Sequence, residues 1–264
     1  MSQLHFRFYG DPSKPTVLLF HGLLGSSRNW HSVGSELGSR FHVICVDLRN
    51  HGSSPFRTPH SYDGMIEDIL ELVEAEGIDL CHLLGHSMGG KLAMKISCRY
   101  PDKVDKLVVV DIAPKTYPGY HDNDYEAMRG LDLQSLKSRK EADEILELMI
   151  PDWAKRQFLL TNLKRNEEGA GFRWSVNLEA LEANQREIES SPLADCDRFD
   201  GPTLFVLGGR SSYTDDKDIP VIRDIFSDCR IITIDGSGHN PHIEAREVFV
   251  SRVASFLLGS DSGE

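Results

Sequence analysis

Nowhere in this chain does an apolar run approach the roughly 20 residues that a membrane-spanning helix needs, so no helical membrane span is expected. The N-terminus, Met1-Ser2-Gln3-Leu4-His5-Phe6, has neither the charged-then-apolar organisation of a secretory leader nor the Arg/Ser-rich character of an organelle presequence. A cytoplasmic location is the reading, with a trimmed transit peptide as its alternative. Positive charge is scarce: 29 Lys and Arg stand against 41 Asp and Glu, a formal net charge of −12. Nucleic acid is not an expected partner, because phosphate binding needs a basic footprint. Cysteine is scarce too. Cys45, Cys81, Cys98, Cys196 and Cys229 are odd in number, scattered and without a CxxC pair. That argues against a disulfide framework and a cysteine metal site, and for reduced thiols. No metal or other cofactor is expected. There is no internal repeat, and only the polar tail from Gly259 to Glu264 is of low complexity.

What is present is an alternation of short apolar runs with amphipathic stretches. Phe6–Gly10 reads as an edge strand, and Thr16–Phe20, Phe41–Asp47, Asp79–Leu84, Lys106–Asp111, Thr203–Leu207 and Arg230–Ile234 as buried strands. Near-continuous apolar strands separated by helices predict an α/β fold, with a mostly parallel central sheet covered on both faces. Residues 115–196 break the rhythm. They carry no buried-strand pattern and are helical in character, most clearly over Glu141–Ile150 and Asn177–Ile188. The organisation predicted is a core of residues 1–114 and 197–264, with residues 115–196 inserted between two core strands as a helical cap.

The chemistry starts at Gly85-His86-Ser87-Met88-Gly89, a G-x-S-x-G pentapeptide that follows a strand and precedes a helix-like run from Gly90 to Ile96. Residues without side chains flank the serine because strand and helix must approach closely there, and the helix N-terminus aims free N–H groups at the site. His21-Gly22-Leu23-Leu24-Gly25 follows the second strand. The N–H groups of Leu23 and Met88 are the candidate oxyanion hole, and His21 is read as holding the loop. His51, in the turn after the third strand, is likewise read as structural. A serine hydroxyl needs a base. His239, in Asp235-Gly236-Ser237-Gly238-His239, is preferred to His242, because the preceding glycines set it at a loop tip. The acid that orients the base has two candidate places. Asp111 ends the strand after the nucleophile's strand. Asp215 and Asp216 follow the strand Thr203–Leu207, the commoner position in this architecture, but the immediate turn there, Gly208-Gly209-Arg210-Ser211-Ser212, holds no carboxylate. Asp111 is preferred and the later pair stays open.

These segments, together with Asp47-Leu48-Arg49-Asn50-His51-Gly52 and Asp111-Ile112-Ala113-Pro114, resemble the α/β-hydrolase superfamily, and within it the YbfF-like carboxylesterases and their mitochondrial relatives. The resemblance runs along nearly the whole chain. It implies the α/β-hydrolase fold, cofactor-free cleavage of acyl esters or acyl thioesters, and an acid on the strand after the nucleophile, which supports Asp111. One departure is Asn240, where relatives usually carry an aromatic residue.

The function expected is two-step acyl transfer by Ser87, His239 and Asp111 on a small-molecule ester or thioester. Tyr117, Trp153, Phe158 and Trp174 are candidate pocket walls, with packing inside the cap as the alternative for each. Lys91, Lys95 and Arg99 form the one local basic patch where a CoA phosphate could be met. Carbon–carbon bond hydrolases and lyases share the motifs and are the first rival. A diketone substrate separates them from esterases. A non-enzymatic ligand receptor is the second rival, and the complete set of catalytic parts argues against it. The sequence assigns neither acyl length nor oligomeric state.

Overall fold

The computed structural model describes residues 4–117, 119, 121–167 and 169–260. Residues 1–3 and the end of the polar tail, 261–264, lie outside the described residues. The chain opens with β1 (Phe6–Tyr9), β2 (Thr16–Phe20), α1 (His31–Leu37), β3 (His42–Val46), α2 (Tyr62–Ala75), β4 (Cys81–His86), α3 (Met88–Arg99) and β5 (Val104–Val110). Residues 111–202 then form α4 (Asp122–Arg129), α5 (Arg139–Leu146), α6 (Trp153–Leu160), the hairpin β6 (Leu163–Arg165) and β7 (Phe172–Trp174), α7 (Leu178–Ala183) and α8 (Gln185–Glu189). The chain returns to the sheet with β8 (Thr203–Gly208), α9 (Asp218–Ile225), β9 (Cys229–Ile234), α10 (Pro241–Glu244) and α11 (Arg246–Leu258).

The main sheet has the order β1-β3-β2-β4-β5-β8-β9. Only β1, at one edge, runs antiparallel to its neighbour. Alternation along each strand divides the core, since successive side chains of a strand leave opposite faces. Leu18, Phe20, Ile44, Leu83, Leu107, Val109 and Phe205 join one apolar cluster, whose cover includes Ile69 and Leu72 of α2, Leu92 and Ile96 of α3, and Ile222 of α9. Val17, Leu19, Val43, Leu84, Val108, Val110 and Val206 join the other, beneath Val33 and Leu37 of α1 and Phe249 and Val253 of α11. A sheet buried on both faces explains strands that read as unbroken apolar runs.

The differences from the sequence reading have local causes. β4 extends through His86, two residues past the apolar run, and delivers the chain directly to Ser87. The stretch expected as one helix over Asn177–Ile188 is two, α7 and α8, separated at Asn184. The segment read as strandless contains the β6–β7 hairpin. Three-residue strands are too short to show an alternating signal.

Two glycines set the approach of α3 to the sheet. A Cβ on Gly85 would stand 2.1 Å from the Gly89 carbonyl oxygen, and one on Gly89 2.4 Å from that of Phe20. Both obstacles are backbone and cannot rotate away. Gly85→Ala is therefore expected to cost about 3 kcal/mol, the upper part of the range for overpacking. A urea melt that leaves the midpoint unchanged would refute this account of the turn.

Candidate active site

Ser87 stands between β4 and α3 with φ 51° and ψ −118°. A positive φ is costly for a residue with a side chain, and here the flanking contacts impose it. The Ser87 N–H donates to Val110 O at 3.1 Å, while Ser87 O accepts from the Lys91 N–H at 3.0 Å. The side chain is thus lifted to the C-terminal edge of the parallel sheet. The Met88 N–H, in the first turn of α3, has no carbonyl within its own helix to meet.

Across from it, the loop after β2 is locked by two buried histidines. The Leu48 N–H donates to His21 Nε2 at 3.0 Å, so His21 Nδ1 carries the hydrogen and donates to Gly22 O at 2.8 Å. The Leu24 N–H donates to His51 Nε2 at 3.1 Å, and His51 Nδ1 donates to Arg49 O at 3.0 Å. The rings lie 4.9 Å apart. Burial, the largest cause, lowers the pKa of His21 and pushes that of His51 well down, so both stay neutral and hold these tautomers. With Leu24 and Gly25 N–H groups engaged, the Leu23 N–H makes no hydrogen bond among the described residues. Gly22 has to be glycine because a Cβ there would meet the His86 ring at 2.9 Å.

His239 sits between β9 and α10, and its Nδ1 lies 2.7 Å from Asp111 Oδ2. Its ring stacks on Tyr213 at 3.6 Å with an interplanar angle of 12°. Its carbonyl accepts from His86 Nε2 at 2.8 Å. Asp111 directly follows β5 and is fully buried, at φ 49°. Its Oδ1 accepts the Gly208 N–H at 2.8 Å, and its Oδ2 accepts the Ser211 hydroxyl as well as His239. An ionised carboxylate only accepts, so His239 Nδ1 carries the hydrogen and Nε2 is left with its lone pair.

Of the alternatives, Asp215 turns its carboxylate to the Lys217 N–H of its own turn, at 2.7 Å. His242 is buried with its ring 4.5 Å from Trp30 and 4.6 Å from His86, and it has no carboxylate partner. Burial pulls its pKa down to about 3.

Ser87 opens on a cleft of about 650 Å³ that also contains Leu23, Phe158, Tyr213 and His239, and on a nook of about 30 Å³ that contains Met88, Lys91, Ile112 and Tyr117. A hollow of about 700 Å³ at the β1 edge holds neither nucleophile nor base of the candidate set. Of the four aromatic walls expected, Phe158 lines the cleft and Tyr117 the nook. Trp153 and Trp174 line neither cavity. Trp153, the first residue of α6, is 65% exposed to solvent. Trp174 packs against the apolar core, its indole N–H donating to Met128 O of α4 at 3.3 Å. Asn240 lines the cleft, and its N–H donates to Glu244 Oε1 at 3.2 Å.

The basic patch is not free for phosphate. Lys91 is buried, donating to the carbonyls of Glu189 and Ser190 at 2.9 and 2.7 Å, and so fastening α3 to the end of α8. Burial pushes its ammonium down to about 7. Lys95 and Arg99 share Asp63, at 3.0 and 2.7 Å. Sequence reasoning missed Ser211 and Tyr213. Ser211 lies in the turn Gly208–Ser212 and Tyr213 directly after it, and a hydroxyl at that place is the available signal. Among the described residues no group of His, Cys, Asp and Glu side chains is arranged to hold a metal ion.

Comparison with known proteins places this geometry. Residues 15–246 match the model of the alpha/beta hydrolase fold. The sn-1-specific diacylglycerol lipase ABHD11 of Mus musculus is 38% identical over 256 residues, covering 94% of this chain and 82% of that protein. Esterase YbfF of Escherichia coli (strain K12) is 31% identical over 245 residues, covering 91% of this chain and 92% of that one. Among solved structures, a marine microorganism esterase superposes with a TM-score of 0.93 at 38% identity, covering 97% of this chain and 100% of that one.

Proposed function

We propose a serine mechanism for this chain, which belongs to the α/β-hydrolase fold family and is, with its esterase and lipase relatives, an ester-bond hydrolase. Ser87 is the nucleophile, His239 the base and Asp111 the acid. The observation that carries the reading is the 2.7 Å contact between His239 Nδ1 and the buried Asp111, with His239 and Ser87 lining the same cleft. With Nδ1 engaged, Nε2 is the base that takes the Ser87 proton as Oγ attacks the ester carbonyl. The Leu23 and Met88 N–H groups receive the negative oxygen. His239 then protonates the departing alcohol or thiol, and a water molecule activated by the same ring releases the acid. Carboxylic esters are the substrate class, with acyl thioesters included. Residues 115–196 act as the cap that shapes the pocket. Five free thiols support a reducing compartment such as the cytoplasm.

A fluorophosphonate probe tests this directly. It is expected to label the native chain stoichiometrically, with the tag on the peptide that contains Ser87. Absence of label, or label on another serine, would overturn the assignment. Turnover of p-nitrophenyl esters and acyl-CoAs of graded length then fixes the acyl group.

A further inference from the structure

We propose that His121, held by Asp124, reads a hydroxyl group on the ester that Ser87 attacks, a specificity contact that rests on the ester-hydrolase reading above. His121 immediately precedes α4 and lines both the cleft and the nook at Ser87. Leu23, Ser87 and Tyr213 are the other residues common to both cavities. It makes no side-chain capping bond to α4, so capping does not account for the position of the ring. Its Nδ1 lies 3.2 Å from Asp124 Oδ2. Asp124 is buried in the first turn of α4, its side chain 3% exposed, and Lys155 Nζ of α6 stands 2.7 Å from its other oxygen. Elements from two places in the sequence, α4 and α6, thus converge to orient one imidazole beside the cavities that Ser87 lines.

The orientation fixes the chemistry of the free edge. The Asp124 carboxylate accepts, so Nδ1 carries a hydrogen, and in a ring with that one hydrogen Nε2 is an acceptor. Nε2 has no protein partner among the described residues and is not sealed from the cavity. The complement of an acceptor is a donor. On an uncharged ester substrate that donor is a hydroxyl, which assigns the cleft to esters that carry one. An ester without the hydroxyl leaves Nε2 facing an apolar group, and loses the hydrogen bond while the triad is untouched.

The test compares kcat/KM for 2-hydroxyethyl butyrate and n-propyl butyrate, which have the same number of heavy atoms and differ in one hydroxyl. The ratio of the two values is independent of how much of a preparation is folded. The native enzyme is expected to favour the hydroxyethyl ester by about 10-fold, the scale of one net hydrogen bond. His121→Phe should bring the ratio to one or below, and His121→Gln, which keeps an acceptor, should restore part of it. Asp124→Asn, which releases the tautomer, should lower it several-fold. A native enzyme with no preference, or a ratio unchanged in His121→Phe, would overturn the inference. Fluorophosphonate labelling of Ser87 alongside such a result would leave the ester reading standing. Hydrolysis of neither ester, together with no labelling, would overturn the ester reading and this inference with it.

Discussion

Replacing Ser87 by alanine is expected to lower ester turnover by about 10⁶-fold, the scale on which loss of a serine nucleophile removes the covalent route. What remains is binding and the oxyanion donors, which together still exceed reaction in water by about 10³–10⁴-fold. The fold should survive. Alanine keeps the Cβ that the φ of 51° already accommodates, and the backbone bonds from Ser87 N–H to Val110 O and from Lys91 N–H to Ser87 O do not use the hydroxyl. An unchanged urea midpoint beside lost p-nitrophenyl acetate turnover is the expected pair of results. A variant that keeps a tenth of the native rate would show that another group supplies the nucleophile.

Ser87 was legible because everything it needs is local. Gly85 and Gly89 lie two residues to either side of it and are required by backbone contacts of 2.1 and 2.4 Å, and the apolar run before them is a strand in the middle of the sheet. The strands were legible for the related reason that both of their faces are buried. His239 was legible from chain order and the glycines of its loop. The acid was not, because its two candidate positions are neighbours in space. β5 and β8 pair directly, Val110 opposite Val206, so a carboxylate at either strand end faces the same imidazole. The structure joins the two ends: Asp111 directly follows β5, and it is held by the Gly208 N–H and the Ser211 hydroxyl at the end of β8. No pattern along one strand encodes that division of labour. The segment between β5 and β8 was least legible. Whether Trp153 or Phe158 faces the cleft depends on how α6 is rotated against α5 and the core, and both are large apolar residues of one short helix. The hairpin beside them was invisible for want of length.

Asp111→Asn is expected to reduce turnover by about 10⁴-fold, the cost of presenting the base in the wrong tautomer. The buried carboxylate receives three donors: the Gly208 N–H at 2.8 Å, the Ser211 hydroxyl and His239 Nδ1 at 2.7 Å. An asparagine has one acceptor oxygen and a donating amide. If the oxygen stays with Gly208, the amide faces the imidazole and favours a ring whose Nδ1 accepts. The hydrogen then moves to Nε2, and the lone pair that would take the Ser87 proton is gone. The same substitution leaves buried donors mismatched, so some stability is lost as well. The measurement that isolates the tautomer is therefore fluorophosphonate labelling rate per folded molecule, with the folded fraction read from the unfolding curve at the same pH. Asp215→Asn and Asp216→Asn should change that rate by no more than about two-fold, since the Asp215 carboxylate serves the Lys217 N–H of its own turn and surface polar substitutions of this kind have small effects. Ser211→Ala removes one of the two oxygens' neutral donors while leaving the charge and the Gly208 bond, and belongs between these extremes. Full activity in Asp111→Asn with its loss in Asp215→Asn would move the acid to the β8 turn.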